Sequence, residues 1–424
     1  MGLAMKTRRD FLKSLPLAAI SLGHPILSSA NSFSLSEKFV VTIQAEGGWD
    51  VTCFCDPKEN QKGEEEITRW SRNDATQQTG NIKYAPFAKN EHFFKKHAEK
   101  MLIINGVDCQ TNAHLTGQIV SWSGRTSGGL PSITALNSAI NGPGLPLSYI
   151  SFGGFSRTER VTRATMLSPH INELKQLLAS NVTNQGPIVN ADLWNLIRDI
   201  NISDAKDYLA QENLIGGNVR LGRAYLESLS GTDEIRELAD KLPEEGNGGF
   251  SKNELLKQQA FFAVKAFQSG LSASADLNVM SNFDSHDNND TEQADSLSVL
   301  TEGIDYLWDA AEEAGIADRL FVVVGSDFSR TPFYNSAEGK DHWPYGSYMI
   351  MEKGANFTNR VIGGTDERQY ALKVDPSTLE ISNFGSRILP SHVHSAMRSY
   401  LGLDRSELVN QFSFNNTESF SFFS

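Results

Sequence analysis

Five of the chain's nine histidines lie in polar loops or at element ends, beside side chains that could share their chemistry. His114 closes Thr111-Asn-Ala-His114, His286 closes Asp284-Ser-His286, and His342 stands between Asp341 and Trp343. His392 and His394 follow near the C-terminus. Two further carboxylates, Asp50 and Asp327, come directly after apolar runs, where a strand would end. Neutral imidazole with carboxylate is the ligand chemistry of zinc, and carboxylates with fewer imidazoles suit manganese, magnesium or calcium. Three histidine-bearing loops with Asp50 and Asp327 therefore point to a divalent metal site, and no organic cofactor is expected.

Each residue also has a structural reading. Asp50 could cap a turn after Gly47-Gly48, and Asp284 lies in an Asn/Asp-rich loop where such side chains commonly bond their own backbone. Asp327 could cap the turn after its strand, with Arg330 as its ion-pair partner. His342 could pack beside Trp343. His392 and His394 suit core or capping places in a helix start.

The elements that would position these residues can be read from periodicity. Phe39–Gln44 is an apolar, β-branched run broken at Gly47-Gly48, as expected of a buried strand. Met101–Asn105 reads as a second strand, ending in a polar loop from Gly106 to Thr116 and a small-residue segment from Ser121 to Gly124. Further strands are expected at Leu147–Phe152 and Ala275–Met280. Arg319–Val324 has the unbroken apolar character of a central parallel strand covered on both faces. It delivers Asp327 to a strand's C-terminal end, where open α/β sheets hold ligands. Tyr348–Met351 is expected to be another strand. Helices are predicted around His92–Lys100, at Glu292–Ala314 with Leu297, Leu300, Ile304 and Leu307 on one face, and at Ser391–Leu401. Leucines and isoleucines at helical spacing between about 168 and 272 suggest an all-helical insertion. Alternation of short buried strands with helices implies an α/β fold with a mainly parallel sheet between helical layers.

At the N-terminus, Thr7-Arg8-Arg9-Asp10-Phe11-Leu12-Lys13 precedes an apolar stretch, Leu15 to Leu27, that is too short and interrupted to span a bilayer. This is the pattern of a twin-arginine signal, with cleavage expected after Ala30, an uncleaved N-terminal anchor being the alternative, and residues 31–424 exported to the periplasm as one domain. The translocase of that route would be a partner during export. The leader's Lys6, Arg8, Arg9 and Lys13 against Asp10 make +3, so the released chain carries −16 where the whole carries −13. Such acidity argues against nucleic-acid binding. No apolar run long enough for a membrane span follows the leader. Cys53, Cys55 and Cys109 are an odd number, and the first two stand too close for an ordinary bridge, so no disulfide framework is expected.

Taken together, the leader, Gly47-Gly48-Trp-Asp50, Asn112-Ala-His114, Phe283-Asp-Ser-His286, Val324-Gly-Ser-Asp327-Phe-Ser-Arg330-Thr331 and Lys340-Asp341-His342 resemble an exported family. It is catalogued as a domain of unknown function, number fifteen-oh-one, in the alkaline phosphatase and sulfatase superfamily. The resemblance implies an alkaline-phosphatase-like three-layer α/β/α sandwich hydrolysing a small anionic ester of phosphate or sulfate with two divalent ions. By position, it implies Asp50, Asp284, His286, Asp327 and His342 as metal ligands and Thr111 as nucleophile. His114, Arg125 or Arg330 would then meet developing negative charge. Phe328 departs from the superfamily pattern, which has a histidine after the aspartate. Either Asp341 substitutes as a ligand or one metal site is weakened, and in the second case the chain would be a catalytically silent binder of an anion or a partner. No Cys/Ser-x-Pro-x-Arg segment is present, so an arylsulfatase mechanism through formylglycine has no support.

Overall fold

The computed structural model describes residues 38–170, 190–211, 216–230, 253–415 and 418–424, with short pieces at 182–183, 186–187, 213–214, 238 and 251. The leader, and with it the reading of export, lies outside the described residues, as does much of the stretch between 171 and 252.

Eight strands form the central sheet: β1 (Phe39–Gln44), β2 (Met101–Asp108), β3 (Tyr149–Ser151), β4 (Ala164–Met166), β5 (Ser274–Asn278), β6 (Leu320–Gly325), β7 (Tyr345–Met351) and β8 (Arg360–Gly363). Their order is β8-β2-β7-β6-β1-β5-β3-β4. All neighbours pair in parallel except β7, which is antiparallel to both β6 and β2. The reversal follows from connectivity. Between β6 and β7 the chain makes no crossover helix but a ribbon in which Ser329–Arg330 pairs with His342–Trp343, and a strand that returns by a hairpin must run antiparallel.

The main helices are α1 (Asn90–His97), α2 (His114–Ser123), α3 (Ile133–Asn141), α4 (Ala191–Leu209), α5 (Gly216–Ser230), α6 (Leu255–Gln268), α7 (Asn289–Glu313) and α8 (Pro390–Tyr400). Successive strand residues face opposite sides of a sheet, and the core divides accordingly. Val41, Ile43, Val322 and Val324 pack with Phe93 and Phe94 of α1, Phe262 of α6 and Leu300 and Ile304 of α7. Val40, Leu102, Phe321 and Val323 pack on the other side with Trp122 of α2, Leu136 of α3 and Val393 and Met397 of α8. Burying each such aliphatic side chain contributes about 1.5–3 kcal/mol. The result is the three-layer α/β/α sandwich with a mainly parallel sheet expected from the sequence. Within the stretch read as an insertion, α4 and α5 pack on each other. The last helix of that stretch, α6, instead belongs to the core layer against α7. Among the described residues no helix is long and apolar enough to cross a membrane.

One strand carboxylate lies fully within the core. Asp276 of β5 is fully buried and accepts hydrogen bonds from Thr42 Oγ1 and Thr134 Oγ1, each at 2.7 Å, and from the Tyr149 hydroxyl. Burial disfavours its ionised form more than the three hydroxyls favour it, and its pKa is pushed up to about 7. A folded-state pKa above the unfolded value means that stability is fully present below the unfolded value, near 4, and is lost as pH rises through 7. Replacing Asp276 with Asn should therefore favour the variant progressively over wild type between about pH 4 and 7 in urea denaturation. A stability difference that does not change with pH would mean that Asp276 does not titrate in this window.

Candidate functional site

The C-terminal ends of the parallel strands gather the polar residues singled out in the sequence. β1 leads to Glu46, Gly47, Gly48 and Asp50, β5 to Asp284 and His286, and β6 to Asp327. β2 leads to Thr111 and to His114, the first residue of α2. The Ser329–Arg330/His342–Trp343 ribbon folds back over these ends and adds Arg330, Asp341 and His342.

Three imidazoles converge on one carboxylate oxygen. Asp284 Oδ1 lies 3.4 Å from His114 Nε2, 3.1 Å from His286 Nε2 and 3.2 Å from His342 Nε2. Each ring is held by its other nitrogen. His114 Nδ1 is 2.6 Å from Asp327 Oδ2, His286 Nδ1 is 3.0 Å from Asp341 Oδ1, and His342 Nδ1 is 2.7 Å from the Asn112 carbonyl. A carboxylate and a carbonyl can only accept, so Nδ1 carries the proton in all three rings. In the neutral rings Nε2 is then a bare lone pair aimed at the common centre. Two observations are compatible with a cation at this centre. His114 Nε2 is buried without a hydrogen-bond partner. His286 Nε2 and His342 Nε2 lie 2.9 Å apart, a separation that two lone pairs tolerate only with a proton or a metal ion between them. The ligand atoms of His114, Asp284 and His342 all lie within 4.8 Å of one another, and His286 Nε2 joins two of them. The donor set fits a divalent ion of the zinc type.

Burial raises the Asp284 pKa, but the hydrogen bond and charge of Arg330, with His114 and His342, outweigh it and keep the carboxyl below the ordinary aspartate value. Arg330 is fully buried. Its Nε donates to the Gly48 carbonyl at 2.8 Å, Nη1 to the Lys340 carbonyl at 3.2 Å, and Nη2 to the Gly47 carbonyl and to Asp284 Oδ1. The hydrogen bond to Asp327 raises the His114 pKa against the effect of burial. Asp327 itself is fixed by Gly47 N at 3.2 Å and Ser326 Oγ at 3.0 Å. The Phe328 ring packs against the rings of His114 and His342, with centroids 4.7 and 4.6 Å apart.

Several sequence readings change on this geometry. Asp50 is not among the ligand atoms. Its carboxylate is fully buried and accepts from Lys340 Nζ at 2.7 Å, Thr52 Oγ1 at 2.6 Å, Thr52 N at 3.0 Å and Asn289 Nδ2 at 3.1 Å. Burial raises its pKa, but Lys340 and these hydrogen bonds bring it below the ordinary value. Asp327 and Asp341 grip Nδ1 atoms, so they orient imidazoles where the sequence suggested ligands. His114, expected to meet negative charge, has its Nε2 beside Asp284 Oδ1 with those of His286 and His342. The Thr111 hydroxyl turns onto its own loop, accepting from Ala113 N at 3.2 Å. Arg125 donates to the Gly128 carbonyl and lines a separate cavity with Gln110, Leu389 and Phe414. His392 accepts from Leu389 N and His394 Nε2 meets the Ser121 carbonyl, so both are structural. The three cysteines are buried and free.

Sequence reasoning gave no role to Lys340 or Glu46. A buried lysine has no local signature, because its partner Asp50 is 290 positions away. Glu46 carried a signal that went unused: it immediately precedes Gly47-Gly48 at the end of the first strand. Burial raises its pKa, helped by the Asp327 charge and opposed by Asn278 and His114.

Residues 226–409 match the family described as "Protein of unknown function (DUF1501)", in agreement with the resemblance read from the sequence. No curated protein matches the chain. Among solved structures, Ps i-CgsB in complex with k-i-k-neocarrahexaose is similar at 9% identity and a TM-score of 0.41, over 91% of this chain and 75% of that one. Alkaline phosphatase from the Antarctic bacterium TAB5 is similar at 8% identity and a TM-score of 0.34, over 77% and 94%. The lipoteichoic acid synthase LtaP from Listeria monocytogenes is similar at 10% identity and a TM-score of 0.32, over 84% and 76%.

Two outcomes test the geometry. Lys340→Met should destabilise the fold by about 3–5 kcal/mol by stranding a buried carboxylate, and adding Asp50→Asn should recover most of that in a denaturation cycle. In metal-free protein the His114 imidazole should titrate above 6.5 by NMR, and Asp327→Asn should lower its midpoint. An unchanged midpoint would remove Asp327 as the orienting group.

Proposed function

We propose that the chain is an exported, periplasmic hydrolase of phosphate or sulfate esters that depends on a divalent metal ion held by His114, His286, His342 and Asp284. The observation that carries this reading is the convergence of three Nε2 atoms on Asp284 Oδ1, with every Nδ1 held by an acceptor. A divalent ion bound there would supply Lewis-acid polarisation of the ester oxygen and would lower the pKa of an attacking hydroxyl or water.

The chain's own residues do the rest. Asp327, Asp341 and the Asn112 carbonyl fix the three tautomers, which keeps the Nε2 lone pairs available. Arg330 keeps Asp284 ionised and fixes its orientation. Phe328 closes one side of the His114 and His342 rings to water. The Thr111 hydroxyl, in the loop whose Asn112 carbonyl holds His342, or a water in its place, would attack phosphorus or sulfur. With Asp50 neutralised by Lys340, the residues support one ion at this centre.

That same neutralisation favours a second reading, a silent member of the fold that uses the centre to bind an anion or a partner without turnover. Elemental analysis decides the metal: about one equivalent of divalent ion is expected in wild type, and none in a His286→Ala/His342→Ala variant. Protein that stays metal-free after incubation with zinc and manganese would sink the hydrolase reading. Thr111→Ala separates the other two possibilities, since it should abolish ester turnover with metal content intact if the hydroxyl is the nucleophile, whereas a binder would be indifferent to it.

A further inference from the structure

We propose that Gln293 is a positioning residue of the metal centre: its buried carboxamide, acting with the Ser285 hydroxyl, holds the loop Phe283–His286 against the end of β1 and so sets where Asp284 and His286 stand. This rests on the metal centre proposed above and concerns what keeps two of its ligands in place.

The loop alternates. Phe283 and Ser285 are fully buried. The side chains of Asp284 and His286, between and after them, are 40% and 47% exposed and meet at the centre, Oδ1 to Nε2 at 3.1 Å. The backbone is tightly turned, with Ser285 N on the Phe283 carbonyl and His286 N on the Asp284 carbonyl, both at 3.0 Å. In so short a segment the two faces turn together. Whatever grips Phe283 and Ser285 therefore aims Asp284 and His286.

The grip comes from the start of α7. Asn289 and Gln293 are four residues apart, on one face of its first turns, and both are fully buried. Gln293 Nε2 donates to the Phe283 carbonyl and to Ser285 Oγ, each at 3.0 Å, and lies 3.4 Å from the Gly48 carbonyl. Gln293 Oε1 accepts from Asp50 N at 2.8 Å. A main-chain N–H can only donate and a carbonyl can only accept, so the carboxamide has one orientation. Ser285 Oγ passes the direction on, donating to Asn289 Oδ1 at 2.6 Å, and Asn289 Nδ2 donates to Asp50 Oδ2 at 3.1 Å. Asp50 N, Gln293, Ser285, Asn289 and the Asp50 carboxylate thus close a ring of four hydrogen bonds that all run the same way round.

The fit against β1 leaves no slack, since a Cβ on Gly47 would fall 2.8 Å from Asp284 N. Methionine at 293 would fill nearly the same volume and make none of these bonds. It would strand the buried Asp50 N–H and free the loop to seek other partners. Groups that orient ligands from outside the coordination sphere typically change metal affinity by about 10–100-fold.

The test compares full-length Gln293→Met and Ser285→Ala with wild type and with Leu300→Ala, a core variant further along α7, each checked for folding by circular dichroism. Zinc affinity is read at pH 8 by competition with a chromophoric chelator, and the His286 tautomer by nitrogen-15 NMR of the metal-free protein. Zinc should bind about 10–100-fold more weakly to Gln293→Met, and several-fold more weakly to Ser285→Ala. Leu300→Ala, which loses core packing and no bond of the ring, should stay within about twofold of wild type. Metal-free Gln293→Met should also lose the Nδ1–H tautomer that Asp341 imposes on His286. Wild-type zinc affinity in folded Gln293→Met or in Ser285→Ala would overturn the positioning role and leave the hydrolase reading intact. Should Gln293→Met not fold, Ser285→Ala decides alone. Wild type that binds no zinc would sink the hydrolase reading, and the tautomer then decides: a changed His286 in the variants upholds the positioning role, and an unchanged one overturns it.

Discussion

The buried ion pair of Asp50 and Lys340 is the constraint on which the polar end of this sheet depends. Removing two charges from water costs several kcal/mol per ion, and a pair survives only where further hydrogen bonds satisfy it. Here the carboxylate receives donors from Lys340, from Thr52 twice and from Asn289, and the ammonium also lies 5.0 Å from the centroid of the Tyr334 ring. Lys340 is anchored by its main chain as well, N to the Ser285 carbonyl at 2.9 Å and O to Arg330 Nη1. The pair and the Lys340 main chain together thus join the end of β1, the start of α7, the loop of His286 and the ribbon of His342. The imidazoles can converge only while those four segments keep their register.

The close approach of these segments is enforced by shape. Gly339 lies so near the His286 peptide that a Cβ there would fall 1.9 Å from its carbonyl carbon and oxygen. No flexible side chain is available to yield, because the contact is backbone on backbone. An isolated bridge between Asp287 and Glu338 runs through the same place. Charge pairing fixes which segments meet, and the missing side chain lets them meet closely enough for Asp341 to reach His286.

The fold was legible where burial is continuous in sequence. Phe39–Gln44 and Arg319–Val324 stand out because strands covered on both faces leave no polar alternation. β4 and β8 were missed because three or four residues at a sheet margin carry too little pattern. α2 was read as loop and small-residue segment because Thr116, Gly117, Ser121 and Ser123 are poor helix formers. Its helix is decided by the burial of Val120 and Trp122 and by the left-handed Gly124 that ends it. For the centre, local sequence showed which residues could ligate and not which would. Whether an aspartate faces the centre or the far side of an imidazole depends on partners about 50 to 290 positions away. Asp50 met an ammonium that no local pattern announces, whereas Asp284 and His286, two residues apart in one loop, stand side by side at the centre.

The slot around Phe328 has an evolutionary consequence. A Cβ on Gly48 or on Gly117 would come within 2.9 Å of its ring from two different segments of the chain. The phenylalanine and the two glycines are therefore coupled, and the glycines are held further by the Asp327 carbonyl, 2.8 Å from a Cβ on Gly117, and by the φ of +84° at Gly48. A lineage could not exchange the ring for a differently shaped side chain one step at a time without passing through an underfilled or overfilled intermediate. A change at any one of the three positions therefore has to be answered at the others before the slot is filled again.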